Sequence, residues 1–178
     1  PALSIDGRVE IGGGNYAADL ALLTERGDVV VDGALMLGSE SYRAEVSIDS
    51  LQMRAIMPAL ELGTISAELR AEGSGFDPLN QKTWTSINLD VTEAEYKGHH
   101  YGELEASLSL EDGRFDADII CYDPYADFDL RAVGNIVGKV YSADVDIALN
   151  HVDMQALGLS DLQSAGGANI SLQCTAEP

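Results

Sequence analysis

From Tyr42 to Asp49 the side chains alternate without a break: Tyr42, Ala44, Val46 and Ile48 fall on one set of positions, and Arg43, Glu45, Ser47 and Asp49 on the other. A period of two belongs to an extended strand, because successive side chains leave the backbone on opposite sides. The pattern recurs. Ile87, Leu89 and Val91 alternate with Asn88, Asp90 and Thr92, and Leu104, Ala106, Leu108 and Leu110 alternate with Glu103, Glu105, Ser107 and Ser109. Strands of this kind have one apolar and one wet face, and about ten can be read along the chain. Turn residues punctuate them at Asp6-Gly7, Arg26-Gly27-Asp28, Lys97-Gly98 and Asp112-Gly113, where glycine supplies positive φ and aspartate bonds its own backbone. Antiparallel hairpins are the expectation.

Helical signals are few. Ser50 can cap a short turn through Met53 and Ile56, stopped near Pro58 and Gly63. Asp77-Pro78 reads as an N-cap and first helical position, and Asp153-Met-Gln-Ala-Leu-Gly158 is the third candidate. Each amounts to under two turns, or about 9 Å of length, too little to cover a wide sheet. The expected fold is therefore all-β: an elongated, curved antiparallel sheet folded lengthwise as a β-taco around a hydrophobic groove, with a few short helices. A β-sandwich is the alternative, if two sheets close on each other.

With 178 residues and 46% apolar composition, one domain is expected over residues 1–178. Thirty acidic residues against ten Lys and Arg leave a formal charge of −20, which would repel nucleic acid and anionic headgroups over most of the surface. No apolar run approaches the ~20 residues that span a bilayer. The chain opens on Pro1, as expected of a processed protein or of an interior piece of a longer one. Cys121 and Cys174 lack Cys-x-x-Cys spacing and sit in strand-like alternation, so isolated thiols are favoured over a metal site or a disulfide.

Segment 112–130 carries six aspartates. Phe115, Ala117, Ile119 and Cys121 would take one side of a strand and Asp116, Asp118, Ile120 and Tyr122 the other. After a kink at Asp123-Pro124, Ala126, Phe128 and Leu130 line up opposite Asp127 and Asp129. Carboxylates spread along straight strands do not converge as calcium's six to eight oxygens must, so they read as a solvated face. Adjacent His99 and His100 point oppositely on an extended segment and cannot jointly hold one metal, and His151 stands alone. Arg26-Gly27-Asp28 spells an adhesion tripeptide but reads equally as a hairpin turn, and Asn169-Ile170-Ser171 fits a loose glycosylation pattern. No nucleophile elbow, zinc-protease helix or phosphate-cradling loop occurs, and Gly12-Gly13-Gly14 lacks the lysine of a P-loop. The expectation is a protein without catalytic residues, metal or cofactor.

What remains is apolar area. Leu20, Leu22, Val29, Val31, Leu35, Val46, Ile48, Leu89, Val91, Leu104, Leu108, Phe115, Ile119, Phe128, Leu130, Val145 and Ile147 form a one-faced supply of mostly aliphatic side chains, expected to line a trough. Ala44, Ala106, Ala117 and Ala143 would leave that trough under-filled. An acyl chain gains about 0.8 kcal/mol for each methylene removed from water, so such a trough suits an oily guest. An internal echo points to repetition: Tyr42-Arg-Ala-Glu-Val-Ser-Ile48 returns as Tyr141-Ser-Ala-Asp-Val-Asp-Ile147, each followed by a helix candidate, about two residues out of step. A tandem unit of about 100 residues is the expectation.

Ala71-Glu-Gly-Ser-Gly-Phe-Asp-Pro78, Glu95-Tyr-Lys-Gly-His-His-Tyr-Gly-Glu-Leu104, Cys121-Tyr-Asp-Pro124 and Val152-Asp-Met-Gln-Ala-Leu-Gly-Leu159 together resemble the long repetitive TamB proteins of the AsmA-like superfamily, especially those of Bacteroidetes-like bacteria. The likeness runs from about residue 28 onward. It implies a β-taco within a protein anchored in the inner membrane and spanning the periplasm, with phospholipid acyl chains as cargo and a BamA-class outer-membrane protein as partner of the full-length chain. This segment lacks the family's N-terminal anchor and its C-terminal docking region.

Three functions compete: a groove that conducts phospholipid between membranes in support of outer-membrane biogenesis, a sheet edge that templates outer-membrane protein strands during assembly or secretion, and a secreted β-sandwich binding module. The aliphatic, nearly featureless trough favours the first.

Overall fold

The structure is a computed structural model describing residues 3–57, 59, 61–138, 140–153, 155 and 165–177. Its first half contains β1 (Leu3–Gly12), β2 (Asn15–Thr24), β3 (Gly27–Met36), β4 (Ser41–Gln52), the four-residue helix α1 (Met53–Ile56), β5 (Leu62–Ser74) and β6 (Trp84–Tyr96). The second half adds β7 (His99–Tyr101), β8 (Glu103–Glu111), β9 (Arg114–Tyr122), β10 (Ala126–Asn135), β11 (Tyr141–Asp153) and β12 (Ala165–Ala176). All twelve strands join one antiparallel sheet in sequence order, with β7 pairing β6 beside β8. β1 and β12 are the outermost strands among the described residues.

The hairpins follow from local chemistry. Gly13-Gly14, Lys97-Gly98 and Asp112-Gly113 all take positive φ at both positions, the conformation whose twist matches that of the flanking strands. At Arg26-Gly27-Asp28 the turn is tied by Thr24 Oγ1 donating to Gly27 O (2.8 Å) and by Thr24 N donating to Asp28 Oδ1 (3.0 Å).

Two expectations are corrected. Asp6-Gly7 is not a turn but lies inside β1, where Gly7 faces Leu20. A Cβ there would collide with Asp19 O and Leu20, so glycine serves close backbone approach rather than chain reversal. Asp77-Pro78 does not start a helix: the Asp77 carboxylate accepts from Leu79 N (3.0 Å) and its carbonyl from Asn80 N (3.0 Å), closing a turn that runs into β6. The third helix candidate, after Asp153, falls almost wholly outside the described residues.

The β-sandwich alternative does not form, since no second sheet exists among the described residues. Burial tells the same story. Among the described residues, Leu51, Leu110 and Cys121 are the buried hydrophobic ones, and no large side chain is wholly enclosed. In two packed layers the apolar rows would be sealed as a core; here they are mostly half-buried in the inner strands and exposed in the outer ones, Ile5, Val9 and Leu172 among them.

Register shifts after Ile48 on β4 and after Leu149 on β11 lie at the same end of the strands, the kind of irregularity at which a strand can bend. These shifts clarify the internal echo. Val46 and Ile48 of the first copy stand opposite Leu69 and Ala67, whereas Val145 and Ile147 of the second stand opposite Leu172 and Ile170. Followed across the intervening strands, the second copy lies one residue pair further from the bulge. The two-residue slip in sequence is thus the distance needed to reach a bulge at the same level of the sheet.

A candidate apolar groove

Cross-strand pairing carries the apolar positions from strand to strand as continuous rungs. The first rung runs Ile5, Leu22, Val29, Ile48, Ala67, Val91, Leu104, Cys121, Phe128, Leu149, Ala168. The second runs Gly7, Leu20, Val31, Val46, Leu69, Leu89, Ala106, Ile119, Leu130, Ile147, Ile170. The third passes through Val9, Ala18, Gly33, Ala44, Ala71, Ile87, Leu108, Ala117, Ala132, Val145 and Leu172, and the fourth from Ile11 through Tyr16, Leu35, Tyr42, Gly73, Thr85, Leu110, Phe115, Gly134 and Ala143 to Cys174.

All the trough residues expected from sequence therefore share one face of the sheet. Leu22, Val29, Ile48, Val91, Leu104 and Phe128 stand on the first rung. Leu20, Val31, Val46, Leu89, Ile119, Leu130 and Ile147 stand on the second, Leu108 and Val145 on the third, and Leu35 and Phe115 on the fourth. The second rung carries no polar side chain at all. Thr85 on the fourth is the one aliphatic alcohol in the set, and its hydroxyl donates to Glu72 O (3.3 Å).

Two glycines on the fourth rung shape the surface. A Cβ on Gly73 would strike the ring of Tyr42, and one on Gly134 the ring of Phe115. Each aromatic lies across the backbone of its paired glycine, filling the space that a side chain would take. The small residues gather where register brings them together: Ala18, Gly33, Ala44 and Ala71 adjoin on the third rung. Ala18, Gly33 and Ala44 floor an open hollow of about 420 Å³ walled by Val9, Ile11, Tyr16, Leu35 and Tyr42. Of the alanines expected to under-fill the trough, Ala44 and Ala117 are on this rung but apart, Ala106 is on the second and Ala143 on the fourth. They form no single lane.

The opposite face is charged. Arg43 pairs with Asp32 (2.7 Å), Arg70 with Glu68 (2.9 Å), and Arg131 with Asp116 (2.9 Å) and Asp118 (3.9 Å), all solvent-exposed and therefore of small energetic weight. Asn150 donates to Asp127 (2.9 Å) and Asp129 (3.3 Å). His99 and His100 open β7 on successive, oppositely directed positions, and Asn169-Ile170-Ser171 lies within β12, Ser171 donating to Asp146 (2.6 Å).

Asp123 corrects the reading of the acidic stretch. It is not part of the solvated face: only 5% of it is exposed. Its Oδ2 accepts from Gly102 N (2.5 Å), at the break between β7 and β8, and its Oδ1 from Tyr125 N (2.7 Å), in the turn between β9 and β10. One carboxylate thus ties two irregular segments together. The interruption of alternation at Asp123-Pro124 was the available signal, but the partner at Gly102 is distant in sequence.

Both cysteines are free. Cys121 is buried on the first rung, and its thiol pKa is pushed up by burial and then by the nearby charges of Asp123 and Asp127, so the nucleophilic thiolate is suppressed. Cys174 is exposed on the fourth rung of β12. Iodoacetamide at pH 8 should modify Cys174 in the native protein and Cys121 only in denaturant, read as intact mass; native labelling of Cys121 would place it elsewhere.

The chain matches no protein-family model, no curated protein and no solved structure in comparisons with each.

Proposed function

We propose that the apolar face holds the acyl chains of phospholipid and lets them slide across the strands, headgroups remaining in water at the groove's open side. The observation that carries this reading is the second rung: an aliphatic line from Leu20 on β2 to Ile170 on β12, broken by no polar side chain, with no second layer over it among the described residues. A tail laid along a rung meets a new strand about every 4.8 Å, and the four rungs span roughly 20 Å along the strands. The resulting footprint, on the order of 1,000 Å², exceeds the few hundred Å² of contiguous apolar surface usual on a soluble monomer. Burial is non-directional, and a path without polar side chains offers no strong stopping point, so the same contacts that hold a tail permit its movement. No covalent step is involved. On this reading, and with the TamB resemblance, the chain is an interior slice of a periplasmic, inner-membrane-anchored lipid conduit that serves outer-membrane biogenesis.

Native mass spectrometry of the chain incubated with phospholipid vesicles is the test. Adducts of phospholipid mass are expected, displaced by a competing fatty acid. An unliganded mass at every lipid concentration, together with failure to bind a fluorescent fatty acid, would overturn the reading.

A further inference from the structure

We propose that an anionic phospholipid lies in the groove with one polarity: its headgroup leaves at the end of the strands beyond the fourth rung, beside the turns 37–40 and 75–83, and not at the end beyond the first. The polarity rests on the conduit reading above and gives it a direction. Charge separates the two ends. Beyond the first rung the strands carry seven acidic residues, from Asp28 to Asp153, and no lysine or arginine. The described turns there add three acidic and three basic residues, and two of the basic ones, Arg54 and Lys97, are held by Glu95 (3.1 Å) and Glu61 (3.7 Å). Beyond the fourth rung the strands carry only Glu111 and Arg114, which stand opposite each other, and the described turns add Glu40, Asp77, Asp112 and Lys82. The excess of negative charge on these strands and turns is therefore seven at one end and two at the other.

At physiological ionic strength charges act over about 8 Å, so a headgroup senses the end at which it lies and not the other, at least about 20 Å away along the strands. Beyond the first rung an anionic headgroup would stand among carboxylates; beyond the fourth it meets few charges of either sign. Apolar side chains point the same way. Met36, Leu37, Phe76, Leu79 and Val140 are exposed at the fourth-rung end, against Leu23 and Met57 at the other. Phe76 stacks on Tyr42 of the fourth rung, with ring centroids 6.3 Å and planes 21° apart, so the groove's apolar surface continues onto the turn 75–83. Such a rim suits the glycerol and ester region between tail and headgroup, where amphipathic aromatic rings settle. Tyrosines occur at both ends, Tyr16 and Tyr42 at one and Tyr96 and Tyr101 at the other, so charge rather than aromaticity decides between them. The tails then cross the strands along the second and third rungs, with the glycerol at the fourth.

Quenching of tryptophan by phosphatidylglycerol that bears a nitroxide next to its acyl ester tests the polarity. The chain has one tryptophan, Trp84. In a Trp84→Phe background, Tyr16→Trp places a reporter on the fourth rung and Tyr101→Trp places one on β7, beyond the first. Circular dichroism checks that each variant keeps its sheet, and pH 8 keeps His99, His100 and His151, which all lie at the acidic end, neutral. The reporters stand at least about 20 Å apart along the strands, so the Tyr16→Trp chain should be quenched at least about twofold more strongly than the Tyr101→Trp chain. Asp49→Lys with Glu103→Lys, both exposed positions at the acidic end, should raise quenching of the Tyr101→Trp chain about twofold by removing most of the repulsion there. Equal quenching of the two reporters, or stronger quenching of Tyr101→Trp, while native mass spectrometry still finds bound phosphatidylglycerol, would overturn the polarity and leave the conduit reading standing. Quenching of Tyr101→Trp that ignores the two added lysines would overturn charge as its cause. No bound phospholipid in the same spectra would overturn both readings.

Discussion

Replacing Ile119 with aspartate is expected to lower affinity for a fluorescent fatty acid by about tenfold or more, and Leu108→Asp should do the same, while Asp116→Asn should change it by less than about twofold. Ile119 lies in the middle of the second rung, flanked by Ala106 and Leu130, and Leu108 lies on the third between Ile87 and Ala117. A carboxylate at either position must keep its water or be buried without a partner, and both interrupt the aliphatic path at the point where a sliding tail would cross it. Asp116 projects from the other face and is engaged by Arg131, so its neutralisation leaves the groove unchanged. The measurement is a displacement titration of each variant, with circular dichroism establishing that the sheet persists. Equal losses in all three variants would show that binding does not depend on this face, and the conduit reading would fall with it.

Asp123→Ala should destabilise the sheet by about 2–4 kcal/mol, because it strands the amides of Gly102 and Tyr125, each orphaned donor costing about 1–3 kcal/mol where water cannot reach it well. The lower end reflects Tyr125, itself 38% exposed. Asp123→Asn retains one acceptor oxygen and should lose less. Urea titration is the measurement: the midpoint should fall with little change in slope, since the surface exposed on unfolding is nearly the same. An Asp123→Ala midpoint within error of the parent would mean that the carboxylate does not hold the two segments. By comparison, Asp116, Asp118, Asp127 and Asp129 are exposed or surface-paired, and substitution there should cost little.

These contrasts show what a linear reading reaches. The trough residues, from Leu20 to Ile147, fall together on one face because each was placed by parity within its own strand, and parity needs no knowledge of the partner strand. Gly7 was misread because glycine after aspartate has the same local chemistry whether it reverses the chain or lets Leu20 lie close above it. Asp123 was misread because its binding partner, the Gly102 amide, is visible only once β8 and β9 are paired. The adjoining Ala18, Gly33, Ala44 and Ala71 come from four strands, and no window along the chain contains them together.

The sequence alone determined that this chain makes strands with one oily and one acidic face, because alternation is a property of each extended segment and of nothing else. Tertiary structure decided how those strands line up: one layer rather than two closed ones, rungs in step from strand to strand and bulges at a common level. Those features depend on which residues meet across hydrogen-bonded pairs, a relation between distant segments that alternation within any one of them leaves open.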